Sequence, residues 1–443
     1  MTCTNSHSTQ LTSILQGRRF LIVMASYLGK LPFYQKMQTL GIRMVVLDGP
    51  GHWAREYVKK GLFEDFIEVD FQKMNPDTIL ALVEAYPYSF DAVITFEEYA
   101  TRLAASLAKG MNCTGHPVEA VNLNKFEVRQ RCQQAGLPSP HFALIKEAGD
   151  LELAAATVSF PAILKPVKGA SSCDVFRVDS FDDLVIRYWQ IVENRHPSSG
   201  ETNLNSAVSD EGLLTWQHGF IMVLEEYLDG DEYDIDCLLS YGKLAYASVT
   251  EEKPQPNMIE TGARLPATCP PERETELVQM AEDTLKALGY TEGVFHVEAK
   301  YTAKGARLIE VNSRLGGGPI YQMNKLVWGV DLIEQYLLTA LCVPIRPTKL
   351  TPQTYLSSQI LVAPYSGKLT HTHFLDHLKH NPDVVFYKVY LEAGNWVDGP
   401  ERNVPGWLGE IIVRGESRKV ADQRLEEIVA RLTIPLEPAN VLC

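Results

Sequence analysis

Short apolar runs alternating with amphipathic segments set the rhythm of the first hundred residues. Arg19 to Met24, Ile42 to Leu47, Phe66 to Phe71 and Ala92 to Phe96 are the apolar runs. Runs of this length with no polar alternation read as strands covered on both faces. Between and after them, Leu31 to Leu40, Asp77 to Ala85 and Glu98 to Ala108 have helical spacing, with Gly41 and Asp48-Gly49-Pro50-Gly51 as stops. Strand and helix alternating in this way predict an open parallel α/β sheet with crossover helices. Ser26-Tyr27-Leu28-Gly29 matches no phosphate-binding fingerprint, so the pattern alone assigns this unit no nucleotide.

The pattern changes near residues 110–120. Asn124 to Gly136 predicts a helix with an Asn start and a Gly stop, ended by Leu137-Pro138-Ser139-Pro140. Phe160 to Val167 reads as a strand carrying Lys165. It runs into the small-residue loop Lys168-Gly169-Ala170-Ser171-Ser172-Cys173-Asp174 and a returning strand, Val175 to Val178. Such a flap can cradle phosphates with its backbone N–H groups, although the same composition also makes plain hairpin turns. Residues 195–212 are polar and Ser/Asn-rich, which predicts a mobile insertion or a disordered loop.

Ile221 to Leu224 opens a strand that leads into Glu225-Glu226-Tyr227-Leu228-Asp229-Gly230-Asp231-Glu232-Tyr233. This stretch reads equally as an edge offered to a purine, with Glu232 for a ribose, or as an acidic strand-end turn. Asp234 to Leu239 and Lys243 to Val249 predict a hairpin, followed by the polar loop Glu251 to Thr261. Helices are expected over Glu274 to Leu288 and Leu326 to Leu341. The last ninety or so residues give strands over Gln359 to Ala363, Val384 to Leu391 and Glu410 to Val413. Helices over Thr372 to Lys379 and Ala421 to Leu432 accompany them, with no catalytic constellation. The spacing of His371, His373, His377 and His380 fits a solvated helix face better than a metal site. Three units are therefore expected: 1–115, 116–345 with a mobile lid over about 160–228, and 346–443.

The most informative stretch is 294–318, VFHVEAKYTAKGARLIEVNSRLGGG. Val294 to Tyr301 alternates, Lys304-Gly305 turns, and Ala306 to Val311 returns, so a hairpin is predicted. Phe295, Val297 and Ala299 fall on one face, with His296, Glu298 and Lys300 on the other. Glu310 and Asn312 share a face; if it is the one bearing Glu298, two carboxylates and an amide oxygen converge. Hard oxygen ligands of that kind suit Mg²⁺. Arg314 follows directly, and Gly316-Gly317-Gly318 allows close approach of backbone to a ligand.

Composition narrows the partners. At 443 residues with 45% hydrophobic and 22% charged content, the chain is an ordinary globular protein of several units. A net charge of −14 repels phosphate backbones and acidic membranes, which excludes nucleic acid as a partner, but ATP needs only a few local cations. The eight cysteines form no CxxC pair, the N-terminus has no apolar signal core, and no run reaches the ~20 apolar residues of a membrane span. A soluble, cytoplasmic protein is expected.

In order, the chain presents helix-borne Lys125, strand Lys165 with its flap, EEYLDGDEY, and Glu298 with Glu310-x-Asn312. That order resembles the ATP-grasp superfamily over most of residues 120–345. GVFHVEAKY, RLIEVNSRLGGG and WGVDLIEQYLLTAL are most similar to the ligase half of carnosine synthases and to bacterial L-amino acid ligases. The resemblance implies a mixed α/β (α+β) chain: an open parallel sheet, a two-lobed ATP-grasp region and a small C-terminal α+β unit. It implies that Lys125 and Lys165 bind nucleotide, with Glu225, Glu226, Tyr227 and Leu228 as the adenine hinge and Glu232 on the ribose. The phosphate-covering loop would be 168–174, with Lys168, Gly169, Ser171 and Ser172 at the phosphates. Glu298, Glu310 and Asn312 would hold Mg²⁺, with Mn²⁺ as an alternative. Arg314, with Lys165 and Gly317, would serve catalysis, and Glu260, Thr261, Gly262, Gly316 and Gly317 would face the amino-acid substrates.

The implied reaction is phosphorylation of one amino acid's carboxylate and attack by the amine of a second, giving a dipeptide and ADP. Two other readings fit the same pieces: carboxylation or formylation of a purine precursor or biotin, and ATP binding without turnover in a regulatory protein. Many such ligases dimerise, and a homodimer is compatible with a chain whose sequence exposes no readable interface.

Overall fold

The four apolar runs form one parallel sheet in the computed structural model. The structure describes residues 11–438, apart from 72, 122, 169–171, 173, 195–220, 255–257, 319 and 401–405. The strands are β1 (Arg19–Val23), β2 (Arg43–Asp48), β3 (Asp65–Glu68) and β4 (Ala92–Ile94), in the order β3-β2-β1-β4. Alternate residues enter two cores, which explains the absence of polar alternation. Phe20, Ile22, Met44 and Val46 pack with Phe33, Tyr34 and Met37 of helix Leu31–Thr39. Leu21, Val23, Val45 and Leu47 pack with Ile79 and Val83 of helix Pro76–Glu84, and with Leu103 and Leu107 of helix Thr101–Gly110. The expected strand to Phe71 ends at Glu68, and the helix expected from Glu98 begins as a 3₁₀ turn, Glu98–Ala100.

A second, antiparallel sheet follows: β5 (Phe142–Ile145), β6 (Ala162–Pro166), β7 (Phe176–Val178) and β8 (Met222–Glu226), in the order β5-β8-β6-β7. Helices Leu151–Thr157 and Phe181–Asn194 cover one face through Leu151, Leu184, Tyr188 and Ile191. The 195–212 segment, Gly169, Ser171 and Cys173 lie outside the described residues.

The remaining strands are β9 (Asp231–Ser240), β10 (Lys243–Glu252), β11 (Ala263–Leu265), β12 (Gly293–Thr302), β13 (Gly305–Asn312), β14 (Tyr355–Val362), β15 (Gly367–Leu369), β16 (Val384–Val389), β17 (Trp396–Val397), β18 (Trp407–Gly415) and β19 (Leu436–Pro438). Eight of them make one antiparallel sheet, β13-β12-β9-β10-β11-β14-β18-β16, while β17-β15-β19 form a small separate sheet. Arg264 and Leu265 of β11 pair with Ser357 and Leu356 of β14. Strands after residue 346 therefore extend the sheet that carries the VFHVEAKY hairpin. Helix Arg418–Val429 buries Ala421 and Leu425.

The continuous helix expected over Leu326 to Leu341 is two helices, Ile320–Trp328 and Leu332–Ala340. Gly329 takes φ +71°, and the Asp331 side chain accepts the Glu334 amide to restart the second helix. These helices join Phe20, Phe33 and Phe96 of the first unit to Leu238, Val294 and Ile412 of the large sheet in one core. The segment around His373–His380 is 3₁₀ rather than α-helical. No helix among the described residues is long and apolar enough to cross a membrane.

Candidate active site

The hairpin faces fall as alternation predicts. Phe295, Val297 and Ala299 enter the core beneath helix Pro271–Ala287, where Leu277, Ala281 and Leu285 meet them. His296, Glu298 and Lys300 line a cavity of about 280 Å³ on the other side. On β13, simple period-2 alternation would place Glu310 with Ala306 and Leu308, both of which are buried in the core. A bulge reverses this. Glu298 pairs with Glu310, yet the next residue, Ala299, pairs with Leu308, leaving Ile309 extra. Ile309, Glu310 and Asn312 consequently line the cavity, and Arg129 Nη2 donates to the Ile309 carbonyl at 2.8 Å.

The acids at this point are held by polar neighbours. Asn312 Nδ2 donates to Glu298 Oε1 at 3.0 Å. Lys125 Nζ lies 2.7 Å from Glu310 Oε1. Lys125 opens helix Lys125–Gln134, whose start is fixed by a capping box between Asn124 and Glu127. Burial, and then the Glu310 charge, push Glu298 up to about 7. Burial would lower Lys125, but Glu310 outweighs it and the ammonium stays charged. Arg314 Nε lies 2.6 Å from Glu98 Oε2 of the N-terminal unit, and Arg314 also bonds the Leu315 carbonyl.

Beside them, His296 sits between Asp236, at 3.0 Å, and Asp234, at 3.6 Å. Burial alone would lower it; these two carboxylates raise it to about 10. Asp234, Glu252 and Glu260 are all raised, in each case first by burial. One wall of the cavity is thus crowded with buried carboxyl groups.

At the hinge, Glu225 plays a different part from the one expected. Its carboxylate accepts from Arg129 Nε at 3.0 Å and Nη2 at 2.9 Å, and lies 2.9 Å from Lys165 Nζ. Burial would raise Glu225, but the two cations hold it at about 2. Its side chain is therefore fully engaged within the protein. The amides of Glu226 and Tyr227 are taken by the carbonyls of His141 and Pro161. A backbone donor to a base edge must then come from Leu228 onward. The Tyr227 ring has the Arg177 guanidinium at 4.5 Å on it and Lys300 Nζ at 5.4 Å, and Lys300 lies 3.6 Å from Glu232.

The cavity gathers Lys125, Lys165, Ser172, Glu225 to Leu228, Glu232, Glu260, Gly262, Glu298, Glu310, Asn312, Arg314 and Gly317. Among the described residues, three expected ones lie off its lining. Lys168 is exposed. Thr261 turns its hydroxyl to the Pro254 carbonyl, while its own carbonyl accepts the Ile360 amide. Gly316 is packed against His296, where an added Cβ would lie 2.8 Å from Nδ1. The sequence reading missed Arg129, His296, Asp234 and Glu252; His296 shares the Glu298 face by alternation and was the one within reach. It also gave the C-terminal strands no part in the site, yet Ser358, Ile360, Tyr390 and Trp407 form one wall. Nothing in their spacing signals this, because their contribution follows from strand order alone.

A two-lobed grip with an antiparallel flap sheet and a carboxylate-bearing hairpin defines an ATP-grasp fold, and comparison with known proteins agrees. Family models match as an ATP-grasp N-terminal domain over residues 34–113, an ATP-grasp domain over 158–322 and an L-amino acid ligase C-terminal domain 2 over 359–437. The chain belongs to the ATP-grasp superfamily. It is 29% identical over 374 residues to carnosine synthase 1 of Gallus gallus, an alignment covering 80% of this chain and 38% of that protein. The chain thus spans well under half the length of the carnosine synthases it matches. An L-amino acid ligase from Bacillus licheniformis superposes with a TM-score of 0.75 at 20% identity, covering 95% of this chain and 99% of that one. N5-carboxyaminoimidazole synthetase from Staphylococcus aureus, complexed with ADP, gives 0.68 at 15% identity, over 94% and 97%.

Proposed function

We propose that the protein is an ATP-dependent, ADP-forming ligase that joins two amino acids through an acyl phosphate. The observation that carries this reading is convergence: hinge, cations, paired carboxylates and Arg314 meet in one cavity. Likeness to carnosine synthase and to amino-acid ligases, including the C-terminal match, supports amino acids as substrates.

The donor set fits a divalent cation. Glu298 and Glu310 face each other with Asn312 alongside, and Glu298 is raised by burial and then by the Glu310 charge. Glu298, Glu310 and Asn312 would hold Mg²⁺, which neutralises phosphate charge during transfer. Tyr227 and Leu228 flank the base and Glu232 takes the ribose. Lys165, anchored by Glu225, presents its ammonium from the strand beneath the phosphates. Lys125 exchanges its Glu310 contact for phosphate oxygen as nucleotide enters. Arg314, steadied by Glu98, places its guanidinium beside the carboxylate to be activated and then beside the oxyanion formed by amine attack. Gly317 lets backbone approach that centre. The carboxyl groups of Glu252 and Glu260, opposite the cations, suit a substrate ammonium.

An ADP-release screen over pairs of amino acids, including β-alanine with histidine, tests the reading, with products identified by mass spectrometry. ADP release that requires two amino acids supports it. Release dependent on bicarbonate moves the chain to carboxylation, a reading favoured by its likeness to N5-carboxyaminoimidazole synthetase. Nucleotide binding without release under any mixture removes the enzyme reading.

A further inference from the structure

Two ammonium groups, those of Lys30 and Lys388, lie against the same aromatic ring. Lys30 ends the short 3₁₀ turn Leu28–Lys30 after β1, and Lys388 lies on β16. Lys30 Nζ is 4.9 Å from the Phe33 ring centroid and 5.9 Å from that of Tyr27. Lys388 Nζ is 5.6 Å from the same Tyr27 ring and 5.9 Å from Tyr390. The two cations therefore flank one aromatic ring from opposite ends of the chain. Among the described residues, neither has a carboxylate oxygen within ion-pair distance.

The neighbouring acids are engaged elsewhere. Glu410, buried, accepts from the Tyr390 hydroxyl at 2.5 Å. Glu97 accepts from the Ser26 hydroxyl at 2.6 Å, and Glu98 is taken by Arg314. Burial first, and then Arg314, lower Lys30 to about 8 while Glu97 and Glu410 pull the other way, and burial lowers Lys388 against the pull of Glu410. Half-buried cations whose nearest acids, Glu97 and Glu410, lie beyond ion-pair distance gain from a bound anion. The patch adjoins the cavity, since Gly317, Gly318 and Tyr390 line it and Glu410 Oε2 lies 3.3 Å from where a Gly318 Cβ would be.

We propose that Lys30 and Lys388 bind the free carboxylate of the acceptor amino acid, the substrate that supplies the amine. This rests on the ligase reading. The donor's carboxylate is consumed at Arg314, whereas the acceptor's carboxylate never reacts and needs a fixed cationic seat away from the phosphates. With its carboxylate held by Lys30 and Lys388 at the edge of the Tyr27 ring, the acceptor directs its amine past Gly318 toward the acyl carbon. Recognition then joins the N-terminal and C-terminal strands across the site.

The test uses the full chain with ATP, Mg²⁺, β-alanine and either histidine or histidinamide. Where the screen returns another active pair, that acceptor and its carboxamide replace them. In parallel, hydroxylamine replaces the acceptor: it attacks the acyl phosphate, releasing phosphate and leaving a hydroxamate, and so reads activation alone. Wild type should show a KM roughly 10- to 100-fold lower for the acid than for the amide, the scale of a charge-assisted contact. Lys30→Met and Lys388→Met should each raise the acid's KM by about that factor and leave amide KM and hydroxamate rate unchanged. Equal use of acid and amide by wild type overturns the proposal, as do variants that keep the discrimination. If one variant fails to fold, the other decides. Absence of hydroxamate in wild type removes the ligase reading and this seat together.

Discussion

Glu298 and Glu310 occupy directly paired positions on β12 and β13, one step from the bulge at Ile309 that turns Glu310 out of the core. Like charges placed opposite each other in a sheet are unfavourable. Here the arrangement is held by Lys125 on one carboxylate and Asn312 on the other. Such a pair makes sense as a seat for a cation.

Glu310→Gln keeps the shape of the side chain and removes the charge. ADP formation should fall by about 100-fold or more, while the circular dichroism spectrum stays that of wild type. Near-normal turnover would remove the metal assignment.

Arg129→Met strips Glu225 of its bidentate partner and the Ile309 carbonyl of its donor. Breaking one side of a buried ion pair costs up to about 3–5 kcal/mol, less here because Lys165 still faces Glu225. Urea unfolding should show a loss of unfolding free energy of up to that size, read as the midpoint change times the slope. A shift near zero would mean that neither the ion pair nor the bulge depends on this guanidinium.

Glu225 also fixes a pH dependence. Its pKa is depressed in the folded chain, to about 2 from an ordinary 4.5. The stability it contributes is therefore fully present above about pH 4.5 and is lost as pH falls toward 2. Glu225→Gln should be much less stable than wild type at pH 7, with the gap narrowing steadily below pH 4.5. Parallel stability curves from pH 7 to pH 3 would contradict this.

Two glycines of the cavity should respond in opposite ways. Gly262 has φ +133°, and a Cβ there would lie 2.3 Å from the Ser358 carbonyl oxygen, so Gly262→Ala should unfold at a markedly lower temperature. Gly317 has open space around the same position. Gly317→Ala should melt within the scatter of wild type, so any loss of ADP release reports on the reacting centre. A destabilised Gly317→Ala would mean that the turn, not the chemistry, needs the glycine.

The sequence made the parallel sheet and the VFHVEAKY hairpin legible because both follow local rules. Buried parallel strands must be apolar on both faces, and a hairpin must alternate. Family resemblance supplied Lys125, Lys165 and the hinge as a set, and all of them reach one cavity. The bulge at Ile309 was invisible, since a one-residue insertion leaves composition and period almost unchanged. Glu225 was legible as part of the hinge but not as the partner of Arg129, because that contact joins residues 96 apart. Ser358, Tyr390 and Trp407 were illegible for a broader reason: strand order, a property of the whole chain, places them.

That strand order has a bearing on how the protein can be divided. β11 is three residues long and rests on β14 along one side. A fragment ending before residue 346 would bare that border as unsatisfied amides and carbonyls, an invitation to aggregate. Anyone wishing to express the nucleotide-gripping half by itself should expect to carry the final hundred residues along.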